Sequence, residues 1–166
     1  EAPEPEPETD PPVKEPEALE DFLPLALYFD NDHPDPSTRR TTTKKTYPET
    51  FQAYYQRKPT FLQEYTKTLA GPERDTARFQ VERFFENDVK KGNDWLIKFS
   101  EILLKRLQEG EEVEIFVKGF TSPRAQSDYN RKLGRRRVSS VRNHFRSFRE
   151  GMLQKYLESG QLVISE

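Results

Sequence analysis

The sequence predicts an α+β domain, a small mixed sheet with helices packed on one face, preceded by a proline- and glutamate-rich linker. Three observations carry that reading. Apolar residues recur every three or four positions from Val81 to Leu107 and again from Gly134 to Met152, which is the period of a buried helix face. Short runs at Leu25–Phe29, Val113–Val117 and "GQLVIS" have the strand period or a compact apolar run. Between Phe22 and Leu25 the composition changes sharply, from alternating Pro and Glu to aliphatic and aromatic residues.

Residues 1–24 form the linker. Its prolines remove backbone donors and favour extended polyproline conformations, while its glutamates keep it solvated. About twenty such residues reach roughly 60 Å at about 3.1 Å each, a spacer expected to follow a further domain or anchor. The folded domain covers 25–166. Leu25, Leu27 and Phe29 predict a first strand, which the turn-forming "DNDHP" terminates. "PDPSTRRTTTKKTYP" has neither helix nor strand period and reads as a long polar loop. Pro48 with Phe51, Tyr54 and Tyr55 predicts a helix start; Pro59 interrupts it, and a second short helix runs to "AGPE".

From Thr76, the stripe Val81, Phe85, Val89, Gly92, Leu96, Phe99, Leu103, Leu107 predicts one long helix, kinked at Gly92 and ended by Gly110. Val113, Ile115 and Val117 alternate as a second strand, an arginine-rich helix follows with its stripe on Gly134, Val138, Val141, Phe145, Phe148 and Met152, and "GQLVIS" is the last strand. Strand, helical excursion, strand, helix, strand is an α+β order with helices in the majority.

The chain of 166 residues has 33% hydrophobic and 34% charged side chains and a net charge of -2, enough for one compact domain and not for a large core. No apolar run is long enough for a membrane helix and no charged-then-apolar leader opens the sequence. With no cysteine, disulfides, thiolate metal sites and thiol catalysis are excluded. No His/Cys/Asp cluster has metal-ligand spacing, and His33 and His144 fall on different elements, so neither an enzyme nor a cofactor is expected; His144 reads as a surface residue of its helix. The arginine-rich helix lacks an adjoining set of stacking aromatics, which argues against a nucleic-acid partner. The aromatics of "TYPETFQAYYQRKPTFLQEYTKTL" read as a small helical core, or as a protein-docking face.

Asn130, Leu133 and Arg137 stand at i, i+3 and i+7, on one face near a helix N-terminus beside the loop "FTSPRAQSD". Helix N–H groups and an inward guanidinium together bind carboxylates. The same spacing also fits an Arg137 that pairs with a surface acid or caps the sheet edge.

"GFTSPRAQSDYNRKLGRRRVSSV" resembles the signature of the OmpA-like peptidoglycan-binding domain, the C-terminal domain family of OmpA and Pal. Gly119, Phe120 and Thr121 match its strand end, Tyr129 and Asn130 its Tyr-Asn pair, Leu133 its leucine, Arg136 and Arg137 its arginine pair, and Ser140 and Val141 its Ser-Val. The likeness extends loosely to "EILLKRLQEGEEVEIFV" and "LALYFDND", and implies an OmpA-like domain over 25–166 with 39–93 as a helical insertion. It also implies a final strand missing from this sequence. In the family an aspartate at the strand end holds the ammonium of a diaminopimelate stem peptide, and the second arginine holds its carboxylate. Arg137 takes the arginine's place; Ser122 stands where the aspartate would be. The implied site is Thr121, Ser122, Asn130, Leu133 and Arg137, with Asn31, Asp32 and Asp128 as further acceptors. The implied function is non-covalent anchoring of an outer-membrane or envelope-associated protein to the cell wall, in the periplasm of a Gram-negative cell. The alternative is an OmpA-like interaction scaffold within an envelope assembly, its wall binding weakened or lost with that aspartate, and with envelope proteins docking on the helical insertion.

Overall fold

A computed structural model describes residues 14–121 and 127–166. Helices dominate. A 3-10 turn at Leu19–Phe22 leads through an open segment to α1 (Tyr47–Gln56), α2 (Lys58–Thr66), α3 (Gly71–Phe84), a π-helical turn (Phe85–Lys90), α4 (Lys91–Gln108), β1 (Val113–Phe116), α5 (Asp128–Gly151), α6 (Gln154–Ser159) and β2 (Leu162–Ser165). β1 and β2 pair in parallel, Val113 opposite Leu162 and Phe116 opposite Ser165. The class is therefore α+β, but the sheet among the described residues is two-stranded and parallel, not mixed.

The expected helix starts are present, each with its chemical cause. Thr46 caps α1 by accepting from the Glu49 amide while Glu49 reaches back to the Thr46 amide, and Pro48 sits in the first turn. Pro59 occupies the first turn of α2, so it opens that helix as it ends the previous one. α4 stops just before Gly110, whose φ of +92° suits only glycine comfortably.

Phe85, Val89, Gly92, Leu96, Phe99, Leu103 and Leu107 are all buried, as their spacing predicts. The irregularity lies elsewhere than expected. The helix widens to π geometry at Phe85–Lys90, while Gly92 lies in regular helix, and its missing side chain serves close approach: a Cβ there would stand 2.6 Å from the Ala26 carbonyl oxygen. Phe85 and Val89 join Tyr54 in a cluster flanked by Tyr28, Phe51, Tyr55, Phe61, Val81 and Phe84. From Leu96 onward α4 contributes to the main core with Phe22, Tyr47, Val141, Phe145, Leu153 and Leu162, where each fully buried leucine or phenylalanine is worth about 1.5–3 kcal/mol.

Leu25–Phe29 is not a strand. Leu25, Leu27 and Phe29 pack toward the main core and Tyr28 toward the second cluster, the two-residue alternation of extended chain. No backbone ladder bonds to it, however: among the described residues β1 pairs with β2 alone. A strand needs a hydrogen-bonded neighbour, and sequence alternation alone does not provide one.

Two expectations for α5 also need correction. Its regular geometry breaks at Phe148, Arg149 and Glu150, the last two with φ of 45° and 57°, so Met152 is turned out to solvent, 45% exposed, and does not continue the stripe. His144 is not a surface residue. It is buried beside Phe145 and Phe148, with Nε2 2.8 Å from the Ser100 hydroxyl.

Candidate functional site

α5 begins at a cap: the Ser127 hydroxyl accepts from the Asn130 amide at 3.4 Å. Its first turns lie against two other segments. One is the continuation of β1 through Lys118–Thr121, brought close because Gly119 meets Gly134 backbone to backbone; a Cβ on Gly119 would lie 2.5 Å from the Gly134 carbonyl oxygen. The other is the polar loop that follows Phe29.

Two adjacent arginines tie these segments together in different ways. Arg136, the middle one of three consecutive arginines, is fully buried. Its Nε donates to the Pro34 carbonyl at 2.6 Å and its Nη1 to those of Thr38 and Arg40 at 3.1 and 2.8 Å, while Nη2 lies 3.8 Å from the Asp32 carboxylate. The loop with no helix or strand period thus has a partner for its backbone after all: a side chain from α5. Ser139 and Asn143 extend the same work, the serine hydroxyl accepting from the Thr43 amide and the asparagine donating to the carbonyls of Thr43 and Lys45. A signal existed in the sequence: Arg136, Ser140 and His144 form an i+4 row beside the apolar stripe, and all three are buried.

Arg137 is half-buried. Its Nε donates to the His33 carbonyl at 3.0 Å, Nη1 to Phe120 at 2.9 Å and Nη2 to Asp30 at 3.2 Å, and its guanidinium lies over the Phe29 ring, 5.1 Å from the centroid. Burial, and then the charge of Arg136, pull its pKa below the ordinary arginine value, and it stays a cation. Among the described residues no carboxylate forms an ion pair with it. A guanidinium has five N–H groups; among the described residues these contacts use three and leave one on each terminal nitrogen.

The predicted acids are less open. Asp32, at φ 58°, accepts from the Ser37 amide at 2.8 Å and from the Tyr129 hydroxyl at 2.5 Å. Burial pushes its carboxyl up, but these bonds and the Arg136 charge outweigh that and set it below its usual range. Asp30, which the sequence reading passed over, is buried and bound by Arg57. Asp128 is exposed and paired with Lys132 at 2.9 Å, which lowers its pKa. Asn31 is exposed, its carbonyl 2.7 Å from His33 Nδ1. Thr121 is half-buried beside Gly134, and Asn130 half-buried in the first turn of α5. Leu133 is only 5% exposed and serves packing more than a ligand surface. Ser122 lies outside the described residues.

Loop 30–33, Phe120–Thr121 and the start of α5 therefore converge on one cation. No His/Cys/Asp/Glu group that could hold a metal is found among the described residues, and no helix there is long and apolar enough to cross a membrane. What the fold and site define is an α+β domain in which a half-buried arginine is held by three backbone carbonyls. No protein-family model matches the chain, and comparison with curated proteins and with solved structures returned no match.

Proposed function

We propose that this chain is an OmpA-like domain that binds peptidoglycan non-covalently, with Arg137 receiving the carboxylate of a diaminopimelate-containing stem peptide. It would thereby anchor an outer-membrane or envelope-associated protein to the wall from the periplasmic side. The observation that carries the reading is the state of Arg137: oriented by three carbonyls and an aromatic ring, partly desolvated, and without an acidic partner among the described residues. Such a cation is more strongly attracted to an anion than a solvated one, and its orientation is already set before binding. For the ammonium, Asp32 is the better of the two acids, since Asp128 is already held by Lys132 and Asp32 retains unused lone pairs on the loop that holds Arg137.

The test is cosedimentation of the domain with insoluble sacculi at moderate salt, competed by a soluble diaminopimelate peptide. Arg137→Ala should lose binding more than tenfold, as expected for a charge-assisted two-point contact. Because Arg137 also secures three carbonyls, a melting curve must show the variant folded. Undiminished binding by folded Arg137→Ala, or no cosedimentation by the parent, overturns the proposal.

A further inference from the structure

Asp30 joins two parts of the molecule. Its carbonyl accepts from Arg137 Nη2 at 3.2 Å and from the His33 amide at 3.1 Å, while its carboxylate accepts from the Asn31 amide at 2.8 Å and from Arg57 Nη1. We infer that Arg57 is a positioning residue for the Arg137 site: it occupies the Asp30 carboxylate, so that this buried acid does not become the counter-ion of Arg137 in place of a ligand carboxylate. The inference rests on the reading of Arg137 as the receiver of that carboxylate, but its first test needs no ligand.

The two partners are unevenly buried, and that decides which of them depends on the contact. The side chain of Asp30 is 4% exposed and that of Arg57 44%. Water can solvate Arg57 when the pair breaks; Asp30 is left as a buried charge in need of another cation. Two groups stand near enough to supply one. His33 Nδ1 lies 3.9 Å from the carboxylate, beyond hydrogen-bonding distance, and donates instead to the Asn31 carbonyl at 2.7 Å. Arg137 is the other. Burial and the Arg136 charge lower its pKa, and the charges of Asp32 and Asp30 act the opposite way, so Asp30 is within electrostatic reach of it.

Arg57 is held from its own side. It closes α1, its amide donating to the Tyr54 carbonyl at 3.0 Å, and opens α2, its carbonyl accepting from the Phe61 amide at 3.1 Å. Its guanidinium lies over the Phe61 ring, 4.9 Å from the centroid. Backbone and ring together fix where this cation stands, at a position outside the residues that carry the OmpA-like pattern. A purely structural tie between the α1–α2 junction and loop 30–33 would use the same contacts. The two roles separate when both partners are removed, because the tie is then broken but no stray charge is left.

The test compares residues 1–166 with Arg57→Ala and with Arg57→Ala/Asp30→Asn, in which the asparagine keeps an acceptor for the Asn31 amide and carries no charge. Melting curves establish that each is folded, and Arg57→Gln replaces Arg57→Ala in both if the alanine variant melts too low. The first readout is the nitrogen–proton resonance of Arg137 Nε–H, identified by its loss in Arg137→Lys. It should shift in Arg57→Ala, where the freed carboxylate turns to Arg137, and return toward the parent position in the double variant. The second is cosedimentation with sacculi: Arg57→Ala should bind about fivefold or more weakly, and the double variant should recover most of that loss. An unshifted resonance in Arg57→Ala, or a double variant as displaced as the single one, overturns the inference whatever the sacculi show. So does undiminished sacculus binding by folded Arg57→Ala when the parent binds. A resonance that shifts and recovers in a chain whose parent does not bind sacculi supports the role of Arg57 and overturns the wall-binding reading alone.

Discussion

Replacing Arg136 with methionine tests the least expected feature of the molecule. The guanidinium is wholly buried and holds three loop carbonyls, those of Pro34, Thr38 and Arg40, plus the charge of Asp32 at 3.8 Å. Methionine fills much of the same volume and supplies no donor. Each bond from a charged donor is worth about 1.5–3 kcal/mol net, but part of the sum offsets the cost of burying the cation, and the freed carbonyls can turn partly to water. The loss on breaking a buried charged network is typically about 3–5 kcal/mol, a large share of the stability of a domain this size. Urea denaturation at pH 7 should show that loss for Arg136→Met. Arg136→Lys, which keeps the charge but cannot fork to three carbonyls, should lose less, and Arg131→Ala and Arg135→Ala, both exposed, should stay within about 0.5 kcal/mol of the parent. Limited proteolysis should cut first within 34–42 in Arg136→Met. A loss below about 1 kcal/mol with that loop still protected would refute the assignment of Arg136 as the loop's clamp.

Gly119→Ala drives a Cβ into the Gly134 carbonyl and should cost about 1–3 kcal/mol by thermal melting. Burial lowers the pKa of His144 to about 4, from an unfolded value near 6.5, so the unfolded chain binds the extra proton between those values. Its stabilising contribution is full above pH 6.5 and declines toward pH 4; denaturation at pH 7 and pH 5 should differ by roughly 2 kcal/mol more in the parent than in His144→Gln. Arg142 and Arg149 already face Glu166 and Glu101 at 3.9 and 3.2 Å, so their alanine variants should weaken sacculus binding only slightly, and less at higher salt. Ser122→Asp supplies the acid that the OmpA-like pattern carries at that place, and calorimetric titration should find a diaminopimelate peptide bound several-fold tighter, the gain expected of one added charge pair.

The local elements were legible because their causes are local. Pro48 and Pro59 mark helix starts whatever surrounds them, Gly110 ends a helix, and the three-to-four spacing from Phe85 to Leu107 buries one face wherever that helix packs. The convergence of Arg137 with the loop after Phe29 was legible only as a pattern, Tyr129 to Val141; spacing on one helix cannot name the carbonyls of Asp30, His33 and Phe120 as its partners. Asp128, equally acidic in sequence, turned out to be occupied by its own helix neighbour four residues on.

By itself, the sequence determined where backbone conformation is fixed by proline, glycine and hydrophobic period, and that the chain's cation is concentrated on one helix. Only the tertiary structure decided what each cation does, because a guanidinium's role depends on the acceptors around it and on how much water it has lost. Arg136 and Arg137 are neighbours in an identical run, yet one is sealed among loop carbonyls and the other, among the described residues, retains two donors beyond its carbonyl contacts. The same holds for Leu25–Phe29 and Val113–Val117. Both alternate like strands, but pairing belongs to whichever segment lies about 4.8 Å away, and only the second of them has such a neighbour.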